Sequence, residues 1–168
     1  MTGYHKGHTP VRGNSGGIPL FPEDITVAEV LKKAGYVTGG FGKWGLGNQG
    51  KDGAAERQGF DLFYGIPYSN DMWIAPEIPA ASDLLLRDGV SAEQLAVMRD
   101  LSRFAWDETN KPNKNLVPLM RNKEIIEFPV DQSTLTGRLT DEAIRFVESC
   151  GEEPFLLYLA HPMPHIPL

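Results

Sequence analysis

Residues 42–47 (GKWGLG) follow a predicted strand and carry Lys43 among three glycines and two apolar residues. In open α/β sheets, ligands bind beyond the carboxyl ends of strands, and glycine lets the backbone come close to a ligand. A lysine there can place a compact positive charge on an anionic group. Lys43 is therefore a candidate anion-binding residue, although a surface lysine in a turn is the simpler alternative. The segment lacks the GxxxxGK[ST] pattern of a phosphate-binding loop.

Two histidines, His161 and His165, come directly after another predicted strand. Their i, i+4 spacing is that of a metal-binding pair on a helix, but Pro162 and Pro164 oppose a helix at this point. A zinc site on the two histidines is thus one hypothesis. The favoured hypothesis is that one histidine projects into a site at the strand end, as a proton donor or an anion ligand. A structural, hydrogen-bonded histidine is the alternative.

The third candidate segment is 66–71 (IPYSND), where Ser69 could bind an anion or a polar substrate atom. No GxSxG elbow surrounds Ser69, so a nucleophilic role is not expected, and a plain turn serine is the alternative. Asp61 and Asp71 could ligate a metal, but the chain has no DxDxDG-type loop. Cys150 has no evident activating neighbour and is predicted to be structural.

Composition limits the class of protein. The 168 residues suit one domain, and the hydrophobic fraction of 41% and charged fraction of 23% are those of a globular chain. No apolar run approaches the roughly 20 residues that span a bilayer. A net charge of −6 argues against general nucleic-acid binding. One cysteine rules out an internal disulfide framework and a multi-cysteine zinc site.

Hydrophobic periodicity and turn residues indicate an α/β fold with a largely parallel sheet. Thr26 and Glu29 form a predicted capping box at the start of a helix whose apolar face would hold Val27, Val30 and Leu31. Ser91 is the predicted cap of a second helix. The apolar stripe predicted for a third helix consists of Leu135, Leu139, Ala143, Phe146 and Val147. Predicted strands cover 36–41, 60–66 and 155–160, predicted helices cover 26–34, 92–105 and 131–149, a predicted hairpin joins 117–120 to 124–128, and predicted loops cover 1–22 and 48–58. The final strand is continuously apolar, which is typical of a buried strand.

Taken in chain order, five segments resemble the sulfatase family. Residues 26–47 resemble the family's second signature, usually GYxTxxxGKWHLG, and 154–168 resemble the strand that leads to its PHxP histidine. The other matching segments are 2–14, which resembles the stretch after the Cys/Ser-x-Pro/Ala-x-Arg signature, 59–71, which resembles an arylsulfatase block, and 117–149. The ordered combination is far more specific than any one motif.

The resemblance implies a fold related to alkaline phosphatase, with a large mixed, mostly parallel sheet flanked by helices and incomplete at both ends. It also implies hydrolysis of sulfate esters by a formylglycine nucleophile, with calcium as the usual cation. Lys43 matches the lysine of GKW, which is expected to contact sulfate and help neutralise the leaving oxygen. His165 matches the PHxP histidine, which is expected to contact sulfate or protonate the leaving group. Ser69 matches a serine expected in the sulfate region, whereas His161 matches no family residue with a known role.

The chain departs from the family pattern at Gly45, where many members have a histidine that is thought to assist the nucleophile. The nucleophile signature and the usual calcium ligands are expected to lie outside the chain. Residues 1–168 are therefore predicted to form the central part of one sulfatase catalytic domain, with an insertion-like region at 74–113, and to be inactive in isolation.

Two alternatives to a sulfatase stay open. One is a phosphodiester or phosphonate hydrolase of the same superfamily, because sulfate and phosphate oxygens have similar geometry. The other is a non-catalytic binder of sulfated ligands, which the departure at Gly45 favours. The expected partner is a small sulfate ester or a sulfated glycan, and neither nucleic acid nor a membrane span is expected. The resemblance implies an extracytoplasmic location, whether periplasmic, secreted or lysosome-like.

Overall fold

The computed structural model describes residues 1–5, 7–9, 19–47, 53–67, 79–96 and 117–165. Its elements in chain order are α1 (Val27–Lys33), β1 (Val37–Lys43), a 3-10 turn (Ala55–Arg57), β2 (Leu62–Ile66), β3 (Ala80–Leu86), β4 (Leu119–Arg121), β5 (Glu124–Phe128), α2 (Gln132–Cys150) and β6 (Phe155–Ala160). Among the described residues, none of the helices combines the length and apolar character needed to cross a lipid bilayer.

The strands form one six-stranded sheet in the order β3-β5-β4-β2-β1-β6. The pairs β1–β2, β1–β6 and β3–β5 are parallel, whereas β2–β4 and β4–β5 are antiparallel. The two antiparallel pairs arise because the hairpin β4–β5 lies inside the sheet. The prediction of a mixed, mostly parallel α/β sheet flanked by helices is confirmed.

Helix α1 begins where the capping box predicted. The Oγ1 atom of Thr26 accepts from the backbone N–H of Glu29 at 3.2 Å, and the carboxylate of Glu29 accepts from the N–H of Thr26 at 2.8 Å. The same Oγ1 donates to the buried carbonyl of Gln58 at 2.7 Å, so the cap also ties the helix to the 3-10 turn. The helix packs through the fully buried Ala28, while Val27 and Val30, two of its predicted apolar-face residues, are exposed.

The sheet is covered on both faces. On one face lies α2, whose predicted apolar stripe is buried against β1 and β2. The stripe consists of Leu135, Leu139, Ala143 and Phe146, with Phe41, Tyr64 and Ile66 opposite. The other face holds an aromatic cluster made of Trp44, Phe60, Phe63 and Phe128, to which α1 contributes Ala28.

A buried ion pair attaches the start of α2 to β5. Glu127 is 2% exposed, and its carboxylate accepts from Nη2 of Arg138 at 2.5 Å and from the N–H of Asp131 at 3.1 Å. Arg138 also donates to the hydroxyl of Tyr64 at 3.3 Å. The hydrogen bond to Glu127 raises the pKa of the Arg138 guanidinium above its ordinary value. These contacts satisfy a carboxylate that would be costly to bury alone.

Four local predictions are corrected by the structure. Strand β1 continues through Lys43, because Gly42 and Lys43 pair in register with β2. The predicted loop 48–58 contains the 3-10 turn, and β3 lies in a stretch for which no strand was predicted. The final strand β6 is not buried on both sides, because it pairs only with β1 among the described residues and leaves Phe155 and Leu159 exposed.

The predicted helix 92–105 lies partly outside the described residues. Ser91 caps it as expected, since its Oγ accepts from the N–H of Gln94 at 3.2 Å. Within the described part, residues 92–96 are helical. The predicted hairpin is confirmed, and Asn122 in its turn has φ +51, a left-handed conformation that asparagine tolerates.

Asp61 provides a pH-dependent link between α1, β1 and β2. Its carboxylate contacts Nζ of Lys32 at 2.5 Å and accepts from both the N–H and the hydroxyl of Thr38, at 3.0 and 2.9 Å. Burial alone would raise the pKa of Asp61, but the hydrogen bonds from Lys32 and Thr38 outweigh it and lower the pKa below its ordinary value. A carboxyl group whose folded-state pKa is lowered stabilises the fold above its unfolded pKa and loses that contribution as the pH falls.

We therefore expect Asp61→Asn to destabilise the protein at pH 7 by about 1 kcal/mol, a modest value because the carboxylate is partly exposed to solvent. The difference from wild type should shrink as the pH falls below about 4, where the wild-type carboxylate becomes protonated. Urea unfolding between pH 2.5 and 7 measures this difference. Asp141→Asn, at an exposed position on α2, is the control for loss of one negative charge. A destabilisation by Asp61→Asn that is constant across the pH range would contradict the assignment.

Candidate functional site

The candidate site lies at one edge of the sheet, where three parallel strands end. Lys43 is the last residue of β1, Pro67 follows β2, and His161 follows β6. Because β2, β1 and β6 are adjacent and parallel, their carboxyl ends meet at this edge. The structure thus brings Lys43 to the same edge as the segment that holds His161 and His165. Ser69, which follows β2 by three residues, lies outside the described residues.

Strands β1 and β6 part after Gly42 and Ala160, and the opening beyond this pair, next to Lys43 and His161, is termed the crevice. The last pair in register between these two strands is Gly42 with Ala160. On the other side of β1, pairing continues with Lys43 opposite Ile66. The N–H of Trp44 then donates to the carbonyl of Ile66 at 3.1 Å, and the N–H of the next residue donates to the carbonyl of Pro67 at 3.0 Å. The chain after Gly42 therefore stays with β2 and separates from β6, so Lys43 and His161 lie where the two strands part.

Gly42 is the last residue of β1 that pairs with β6. Its φ of +107° is a conformation that L side chains rarely adopt, and a Cβ atom there would lie 2.0 Å from the carbonyl oxygen of Ala160. A Cβ on Gly65 would in turn lie 1.9 Å from the carbonyl oxygen of Gly42. The backbones of β2, β1 and β6 can approach this closely only because both positions are glycine. The two glycines determine the backbone path directly before Lys43.

Trp44 holds the residues that follow Lys43. Its ring is 3% exposed, and its Nε1–H donates to the carbonyl of Gly53 at 2.8 Å. The ring meets Phe60 edge-on, with ring centroids 5.6 Å apart, and meets Tyr158 of β6 in the same way at 6.4 Å. Lys43 itself is half-buried. A tryptophan beside a candidate lysine was the sequence signal for this anchor, but its buried hydrogen bond depends on the tertiary structure.

Gly45 has φ +66 and is exposed. The position at which this chain departs from the family signature therefore has a left-handed backbone, which glycine adopts without strain. A histidine in this conformation would pay a backbone cost of about 1 kcal/mol or more. Glycine in place of the family's histidine at position 45 is therefore consistent with the left-handed backbone at this position.

The two histidines lie on a non-helical segment, so the prediction that the prolines prevent a helix is confirmed. Both side chains are half-buried, and Pro162 between them is buried. The Nδ1 atom of His161 is buried and has no hydrogen-bond partner within the part of the chain that the structure describes. Nothing in the sequence signalled this unpaired nitrogen, because its burial depends on neighbouring segments.

The remaining candidates are placed elsewhere. Asp61 precedes β2, at the opposite edge of the sheet from Lys43, and its carboxylate is engaged by Lys32 and Thr38. Cys150 is buried and its thiol donates to the carbonyl of Phe146 at 3.2 Å, as expected for a structural cysteine. Asp71 lies outside the described residues.

Within the described ranges, no group of three or more histidine, cysteine, aspartate or glutamate side chains is arranged to hold a metal ion. The described part of the site therefore consists of one ammonium group and two imidazoles at a strand edge. Such a set can bind an anion and place a proton donor beside it. A nucleophile would have to come from outside the described residues.

Comparison with known proteins shows the family to which the chain is similar. The family model described as Sulfatase matches residues 1–168. Arylsulfatase G of Homo sapiens is 38% identical over 162 residues, which cover 91% of this chain and 27% of that protein. The chain thus spans about a quarter of the length of this curated relative.

Solved structures show the same fold. The crystal structure of Ps i-CgsB in complex with k-i-k-neocarrahexaose matches 92% of this chain and 30% of that chain, with a TM-score of 0.57 and 21% identity. The PsFucS1 sulfatase from Pseudoalteromonas sp. matches 86% of this chain and 28% of that chain, with a TM-score of 0.52 and 23% identity. Since the family model covers every residue of the sequence, the chain belongs to the sulfatase family.

Proposed function

We propose that the protein hydrolyses sulfate esters, and that the crevice between β1 and β6 forms part of its sulfate pocket. The observation that carries the proposal is the position of Lys43, at the point where β1 leaves β6, in a chain of the sulfatase family. Residues 1–168 would form the central part of one catalytic domain, with the region 74–113 as its variable portion. The 38% identity to an arylsulfatase supports this reaction class.

Lys43 would neutralise the negative charge that develops on the sulfate and leaving oxygens during S–O cleavage. Fixed positive charge is effective there because Trp44 and the glycines hold the surrounding backbone before substrate arrives. His165 would contact a sulfate oxygen or protonate the leaving oxygen. Ser69, which follows β2 in the sequence, would contact the sulfate group. These three roles rest on the match of each residue to the family motifs.

Calcium, where bound, would supply positive charge to the sulfate oxygens. The described residues do not form a site that fits this ion, since no cluster of three or more ligating side chains is present among them. We infer that calcium ligands and the formylglycine nucleophile lie outside these residues.

The substrate class supported by the relatives is a small aryl sulfate or a sulfated glycan. One relative is named as an arylsulfatase, and one structural neighbour was solved in complex with k-i-k-neocarrahexaose. We also propose an extracytoplasmic location, which the family membership supports.

The proposal is tested with the full gene product, by comparing its kcat/KM for an aryl sulfate and for the matching aryl phosphodiester. We expect the sulfate ester to be preferred at least 100-fold. A preference for the phosphodiester would support the alternative hydrolase. Tight binding of inorganic sulfate with no turnover of either ester would support the non-catalytic binder, which the glycine at position 45 favours.

A further inference from the structure

We propose that His161 binds the sulfate group of the substrate, with its Nδ1–H donating to a sulfate oxygen. The inference rests on the proposed function and adds a contact to that pocket. The family motifs assign a role to His165 and none to His161, so the contact would be particular to this chain and to sequences that share the histidine.

The first argument is the unpaired nitrogen. Nδ1 of His161 is shielded from solvent and finds no partner among the described residues. Buried polar atoms in native proteins almost always have a hydrogen-bond partner, and an exception needs an explanation. A bound ligand that supplies an acceptor is one such explanation, since it would pair the nitrogen only when the site is occupied.

The second argument is position. His161 comes directly after Ala160, which is the register partner of Gly42, and Lys43 comes directly after Gly42. The two side chains therefore start from the facing ends of adjacent strands at the point where those strands separate. This is the crevice beyond the carboxyl ends of parallel strands in which ligands of α/β sheets bind.

The third argument is chemical complementarity. A ligand held by the ammonium of Lys43 is an anion, and a sulfate ester offers only acceptor oxygens at its charged end. An imidazole with a protonated Nδ1 is a donor and matches those oxygens. Hydrogen bonds to a charged acceptor are stronger than neutral ones, so one such contact can change the affinity for the anion measurably.

The test measures inhibition of aryl sulfate hydrolysis by inorganic sulfate in three variants of the full gene product. Asparagine places its amide near the position of Nδ1, whereas glutamine reaches the position of Nε2, and leucine removes both. We expect His161→Leu to raise the inhibition constant for sulfate at least about tenfold. His161→Asn should stay within about threefold of wild type, and His161→Gln should resemble the leucine variant.

Thermal unfolding of the same variants separates binding from folding. Replacing an unpaired buried nitrogen by leucine should not lower Tm. If the leucine variant fails to fold, the contrast between asparagine and glutamine decides. The control is His5→Leu, which replaces an exposed histidine and should leave the inhibition constant for sulfate unchanged.

An inhibition constant for His161→Leu within twofold of wild type would overturn the proposal, as would equal rescue by asparagine and glutamine. If the wild-type protein hydrolyses the ester and Lys43→Ala does not, the proposed function stands whatever happens at His161. If the wild-type protein neither binds sulfate nor turns over the ester, the proposed function itself fails.

Discussion

The variant Lys43→Ala is expected to lose about 100- to 1,000-fold in kcat/KM for an aryl sulfate, the range typical of removing one preorganised charge-stabilising group. The loss should fall mainly on kcat, because the ammonium is most useful when negative charge has built up on the leaving oxygen. Steady-state kinetics of the full gene product measure it. Lys43→Arg should recover little of the lost rate, because a planar guanidinium is larger and its charge is spread out.

The matched control for this variant is Lys33→Ala. Lys33 is an exposed lysine in the last turn of α1, which precedes β1 and so lies away from its carboxyl end. The variant Lys33→Ala removes the same positive charge from a position outside the crevice. We therefore expect its kcat/KM to stay within twofold of wild type. The Tm of the Lys43→Ala protein should stay close to wild type, since Lys43 is only half-buried. A loss below fivefold for Lys43→Ala would contradict a role for this residue at the sulfate group.

Gly42→Ala is expected to destabilise the fold by about 3 kcal/mol or more, because a steric clash adds to a strained backbone conformation. The new Cβ would lie 2.0 Å from the carbonyl oxygen and 2.5 Å from the carbonyl carbon of Ala160. Both neighbours are backbone atoms, so relief requires a shift of β1 against β6 rather than a side-chain rotation. That shift would change the shape of the crevice, so the fraction of the Gly42→Ala protein that still folds should also be less active. Urea unfolding and kcat/KM of the soluble fraction test both expectations.

The same substitution at Gly137 should have the opposite effect. Gly137 is exposed within α2, and an added Cβ there meets no atom within 4 Å. Because glycine is a poor residue inside a helix, Gly137→Ala should stabilise the protein by about 0.5 to 1 kcal/mol. Equal effects of the two variants would show that chain flexibility, and not contact with β6, explains the glycine at position 42.

Features that depend on neighbours in the chain were predictable from the sequence alone. The capping box of Thr26 and Glu29, the hairpin around Asn122 and the limits of β6 were predicted and are confirmed. So was the apolar stripe of α2, because helical spacing places Leu135 and Leu139 on one face whatever lies opposite. Local hydrogen bonds and periodicity determine these elements, so they need no knowledge of the fold.

The sequence also placed Lys43 and the two histidines directly after predicted strands, and the family resemblance assigned Lys43 and His165 to one sulfate pocket. A largely parallel sheet was predicted from the sequence pattern, whereas the position of β1 beside β6 is seen only in the register of the two strands. The role of Ser69 stays a prediction, since this residue lies outside the described part of the chain.

Tertiary structure alone decided the shape of the site. Lys43 belongs to a strand and not to a turn because Ile66 lies opposite it, and the pairing of β1 with β6 ends one residue earlier, at Gly42 and Ala160. The unpaired nitrogen of His161 is likewise a consequence of burial by other segments. Sequence patterns describe which residues can be close along one element. Steric contact and burial between elements depend on segments far apart in the chain, and so they are determined only when the whole sheet has formed.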